Sequence, residues 1–92
     1  MFNDFFKEVN KGISVRNKKE ALKFFKKAIE FDPNNFEAFY LMGGTLYKLR
    51  KVKEAHLCFD IAVELSPNEH VAYKIKGNSL KAMKNFDIEI DF

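Results

Sequence analysis

The chain is poor in the residues that staple or interrupt a fold: one cysteine, two prolines, four glycines and no tryptophan among 92 residues. With Cys58 alone, no internal disulfide can close, so an oxidising compartment gains no support. No stretch approaches the roughly 18 consecutive apolar residues that a bilayer span requires. Asn3, Asp4, Lys7 and Glu8 break up the first residues, so they form no apolar run of the signal-peptide type. Charge of one sign is also lacking: 16 basic residues against 13 acidic leave a net +3, too mild to imply a nucleic-acid partner by itself. These absences lead to the expectation of a soluble cytoplasmic protein.

Apolar residues, by contrast, are plentiful. They make up 47% of the chain, eleven of them Phe, which argues against intrinsic disorder. A chain this short forms one small domain at most, here taken as 1–92, with a thin stability margin.

The organising feature is an internal repeat. At a shift of 34, Ala21, Phe25, Ala28 and Pro33 fall on Ala55, Phe59, Ala62 and Pro67, Phe39 falls on Tyr73, and Gly43 falls on Gly77. A period in this range marks a solenoid, whose units pack mainly on their neighbours. Within each unit the spacing is helical: Ala21, Leu22, Phe25, Ala28 and Ile29 recur at three and four, as do Ala55, Phe59, Ala62 and Val63. Pro33 and Pro67, each followed by Asn, stop one helix and open the next. The pattern predicts helices over 2–14, 18–31, 35–48, 52–65 and 69–83, with short connections that make neighbours antiparallel. Gly43 and Gly77 are expected to let helix axes approach closely, with Phe25 and Phe59 filling the wider gaps.

This arrangement resembles the tetratricopeptide repeat, a helix–turn–helix unit of 34 residues. Phe39, Met42, Gly43, Leu46, Ala55, Phe59, Ala62 and Pro67 stand where the family puts its signature residues. The first unit departs in its first helix, where Val9 takes the small-residue place and Gly12 a usually bulky one. The third has Tyr73, Gly77 and Leu80, then fails, with Glu89 where Ala belongs. The resemblance implies an all-α, right-handed solenoid of antiparallel helix pairs, about two and a third repeats long: 2–35, 36–69 and an incomplete 70–92. Residues 86–92 alternate Phe86, Ile88, Ile90 and Phe92 with Asp87, Glu89 and Asp91, which is strand spacing. Three readings of them stay open: a frayed cap, a truncated chain, or a tail that orders on a partner or a second copy.

The resemblance further implies a binding wall made by the first helix of each unit. Its residues would be Asn3, Phe6, Asn10 and Ile13 from unit one, and Glu37, Tyr40, Gly44, Tyr47 and Lys48 from unit two. Unit three would add Val71, Lys74, Asn78 and Lys81. Such a groove suits an extended or helical peptide with an apolar anchor and acidic groups, and the function expected is that of a protein-binding adaptor. The blander alternative is that Tyr40 and Tyr47 pack between helices and the lysines are ordinary solvated residues. Some co-chaperones of the family clamp a chaperone's terminal carboxylate with two Asn and three basic side chains. Here only Asn10 stands at such a place, with Phe6, Leu41, Val71 and Ile75 at the other four, and apolar residues cannot supply charged hydrogen bonds.

Nothing in the sequence assembles an enzyme, a metal site or a cofactor site. His56 and Cys58, two apart on a helix, point to different sides, Cys58 reads as a small hydrophobe, and Gly43-Gly44 lacks the sequel of a phosphate loop. Lys18, Lys19, Lys23, Lys26 and Lys27 form the solvated face of one helix and Lys48, Arg50, Lys51 and Lys53 a corner, without a nucleic-acid motif. The alternatives to an adaptor are a non-catalytic fragment of a larger multidomain protein and a weak binder of anionic surfaces. Self-association through the incomplete third unit is a variant of the adaptor and the fragment readings.

Overall fold

The computed structural model describes residues 2–85, except for the side chains at 2, 3, 83 and 85. Within that range the chain is all-helical, with no strand: α1 (Phe2–Ser14), α2 (Lys18–Phe31), α3 (Phe36–Lys48), α4 (Val52–Leu65) and α5 (Glu69–Asn85). The residues 86–92, whose role the sequence left open, lie outside the described part.

Asparagine side chains open three of the helices by accepting orphan amide protons of the first turn. Asn17 accepts from the Glu20 amide at 3.1 Å, Asn35 from Glu37 at 3.0 Å and Asn68 from Val71 at 3.0 Å. The Asn35 cap is why α3 begins at 36 rather than 35. No such bond caps α4, where Lys51 holds the equivalent place. The end of α3 closes differently: Arg50 takes a left-handed φ of 64°, its amide donates to the Tyr47 carbonyl, and the Lys51 amide reaches Leu46. This pair of bonds satisfies the last carbonyls and reverses the chain.

The turns make successive helices antiparallel, so that α1 packs on α2 and α3 on α4, while α2 meets α3 and α4 meets α5. The result is a slab of 37 × 31 × 17 Å, two helix layers thick. Its apolar interior has two parts. Phe5, Val9, Ala28 and Ala38 join the first three helices. Leu22, Leu46, Tyr47, Ala55, Cys58, Phe59, Ala62 and Ile75 join α2 to α5. Ala28, Ala38, Ala55 and Ala62 are fully buried where neighbouring axes crowd, and larger side chains there would force them apart.

Phe59 lies flat against Gly43, its ring carbons 3.1 Å from where a Cβ would stand. In the first unit the close approach is elsewhere. Phe25 sits not on Val9, the residue equivalent to Gly43, but on Gly12, where a Cβ would come 2.5 Å from the ring. Val9, too bulky for that role, is buried against Ala28 and Ala38. Gly77 overturns its expectation: nothing lies within 4 Å of an added Cβ, because no described helix follows to cover α5. For the same reason Tyr73, read as structural, is 69% exposed. Pro33 and Pro67 sit exposed in the turns before α3 and α5.

Candidate binding groove

The odd-numbered helices share one side of the slab, and a groove runs between them. Its first part, about 440 Å³, has a floor of Val9, Phe36, Leu41, Val71 and Ile75, with Phe6, Asn10, Ile13, Glu37, Tyr40, Lys74 and Asn78 around it. Its second part, about 400 Å³, shares Ile13, Tyr40, Leu41 and Asn78 with the first. It continues past Gly44 and Thr45 to Arg16, Lys18 and Lys48. One stretch is therefore apolar with two amides, and the far end is cationic.

A side-chain hydrogen bond ties the wall together: the Asn78 amide donates to the Tyr40 hydroxyl at 2.6 Å, linking α5 to α3. The Tyr40 ring leans on Phe59, 5.9 Å between centroids, so its position is set by the core beneath. Gly44 has open space over it, which leaves the groove clear at its midpoint. Phe6 and Ile13 are exposed, Ile13 by 60%, and each offers an apolar surface to anything lying between the helices.

Of the residues the sequence assigned to the wall, Phe6, Asn10, Ile13, Glu37, Tyr40, Val71, Lys74 and Asn78 gather around the first part, and Gly44 and Lys48 line the second. Lys81 is exposed but borders neither. The Asn3 side chain is outside what is described. Tyr47 is misplaced: it is fully buried, stacked on Phe59 with ring centroids 5.4 Å apart and edge-on to His56 at 6.1 Å. Burial pushes its phenol above the ordinary value, opposed by the neighbouring Ser79 side chain and reinforced by Asp60. Tyr40 thus belongs to the groove and Tyr47 to the core. Arg16, Lys18, Val15 and Thr45 were not anticipated, and the first three lie at or beside the α1–α2 turn, off any helical stripe.

Away from the groove, Cys58 is buried, and desolvation first, then the nearby Glu54 carboxylate, pushes its thiol upward, with Lys26 opposing. A raised thiol pKa disfavours the reactive thiolate. Among the described residues no three His, Cys, Asp or Glu side chains gather in a way that would hold a metal ion. Nor is any described helix long and apolar enough to cross a membrane.

A layered array of helix pairs with a groove on one side is the form of a helical-repeat protein. Residues 18–50, which comprise α2 and α3, match the family model described as TPR repeat, and this supports the tetratricopeptide relationship read from the 34-residue spacing. No curated protein and no solved structure matched the chain.

Proposed function

We propose that the chain is a non-catalytic protein-interaction module that holds a peptide or short helix of a partner in the groove between α1, α3 and α5. Repeats of this family generally mediate protein–protein contact. The observation that carries the reading is the make-up of the groove: an apolar floor, the Asn10 and Asn78 amides for a peptide backbone, and Arg16, Lys18 and Lys48 at one end. Such a surface fits a ligand with one large apolar anchor followed by acidic residues. Clamping of a lone terminal carboxylate fits poorly, because Phe6, Leu41, Val71 and Ile75 donate no side-chain hydrogen bonds.

A random peptide library panned on the full chain, with the selected sequences measured by fluorescence anisotropy, tests this. The expected ligands combine an aliphatic or aromatic anchor with Asp or Glu. Ile13→Glu and Lys74→Glu alter exposed side chains and leave the fold intact. Each should weaken binding by about tenfold or more, equivalent to roughly 1.4 kcal/mol. Ligands that bind both variants as tightly as the parent would place the site elsewhere.

A further inference from the structure

The 34-residue spacing sets Tyr73, Gly77 and Leu80 of α5 where α3 has Phe39, Gly43 and Leu46. On α3 that face is covered. α4 lays Phe59 on Gly43 and buries Ala55 and Ala62 completely beside it. On α5 no described residue covers the same face: the space over Gly77 is open, and Leu80 is 56% exposed. Next to it a hollow of about 480 Å³ lies between α4 and α5, floored by Phe59, Val63, Ile75 and Leu80. The matching space one repeat earlier is filled, since Ala55 and Cys58 of α4 pack there with Leu22 and Leu46. The described residues therefore contain both a covered helix seat and an uncovered copy of it.

Charge narrows what completes the copy. α5 carries Lys74, Lys76, Lys81 and Lys84 against Glu69 alone. A second copy laying its own α5 on this face would set lysines against lysines. An acidic helix meets Lys76 and Lys84 with opposite charge instead. Asp60 and Glu64 on the α4 rim of the hollow admit a basic residue at that helix's other edge.

We propose that Tyr73, Gly77 and Leu80, with the adjoining hollow, form a docking seat for one amphipathic α-helix of a partner protein. That helix has net negative charge and an aromatic side chain set between two small residues. The small residues let its axis approach α5, and the ring fills the space over Gly77 as Phe59 fills the space over Gly43. The partner's ring also accounts for a mid-helix glycine that has no packing role among the described residues.

The chain itself supplies the probe. A labelled synthetic peptide of residues 52–65, with Cys58→Ser, has the Ala-x3-Phe-x2-Ala pattern and three acidic residues against one lysine. Anisotropy with the full 92-residue chain should show saturable binding that weakens with salt. Gly77→Leu fills the seat without a clash, so its melting temperature should not fall, while binding drops by about tenfold or more. Ile13→Glu, in the separate groove, should bind the peptide as the parent does. The proposal is overturned by no saturable binding up to about 1 mM, or by unchanged binding to Gly77→Leu. Binding only after removal of 86–92 assigns the seat to the chain's own residues and also overturns it. So does a dimer in light scattering that Gly77→Leu dissolves, which assigns the seat to a second copy.

Discussion

The four glycines offer a graded test of the packing, because all lie in helices and differ in what surrounds them. Replacing a helix-interior glycine by alanine stabilises by about 0.8–1 kcal/mol where the new methyl meets nothing. Gly44 and Gly77 satisfy that condition, with no atom within 4 Å of the added Cβ. Each alanine variant should gain roughly 1 kcal/mol, a rise in Tm of about 4–8 °C for a domain of this size. At Gly43 the Phe59 ring stands at 3.1 Å and must give by a few tenths of an ångström, which offsets the gain and leaves a change near zero or a small loss. At Gly12 the Phe25 ring would be only 2.5 Å away, and that ring is itself buried. It must retreat by roughly 1 Å, and overpacking of this kind costs about 1–3 kcal/mol, so the net effect is a loss of up to about 2 kcal/mol. Thermal and urea melts should therefore order the variants as Gly12→Ala, Gly43→Ala, parent, then Gly44→Ala and Gly77→Ala together. Adding Phe25→Leu to Gly12→Ala should lower the penalty below the sum of the two single changes. A stabilising Gly12→Ala, or a destabilising Gly77→Ala, would refute the packing described.

Other outcomes follow from the same interior. Phe59→Ala leaves a cavity under Tyr40 and Tyr47 and should cost about 3–5 kcal/mol, enough to unfold much of so small a domain, as far-UV circular dichroism will report. Asn68→Ala removes the cap of α5 and should cost about 1 kcal/mol in urea melts. Cys58 has a raised pKa in the fold, so the unfolded chain loses its proton first as pH rises. Stability is then undiminished at neutral pH and falls above about pH 8.5, the range where an unfolded thiol ionises. Tyr47, also raised, adds a further fall above about pH 10. Cys58→Ala should flatten the first part of that decline relative to the parent, and identical pH profiles would contradict the burial assigned to the thiol.

The helices were readable because their boundaries rest on local chemistry: Pro33 and Pro67 in the turns, Asn at the caps, and apolar residues at three and four. Only the start of α3 and the end of α5 moved, by one and two residues. What the repeat could not convey was occupancy. Equivalence in sequence placed Gly77 beside a helix as it did Gly43, yet a residue packs only if something stands opposite, and no described helix does. Gly12 shows the reverse. It broke the family pattern on paper, but Phe25 points at it, so the small residue is needed one turn further along α1.

In the groove, a stripe drawn on each first helix found most of the lining and erred at Tyr47. A helical wheel treats each helix alone, whereas Tyr47 is closed over by His56 and Phe59 of α4 and by Ser79 of α5. A basic end was expected from Lys48, Lys74 and Lys81, but only Lys48 stands there. Its companions Arg16 and Lys18 flank a turn, where no period applies, while Lys74 lines the first part of the groove.

The proposed function is tested most directly by a two-dimensional NMR titration of the full chain with a peptide selected from the library. Binding in the groove requires shift changes at Ile13, Tyr40, Gly44 and Asn78, with those at Leu57 and Ile61 of α4 unmoved. Changes concentrated on α2 and α4, with those four residues silent, would contradict it.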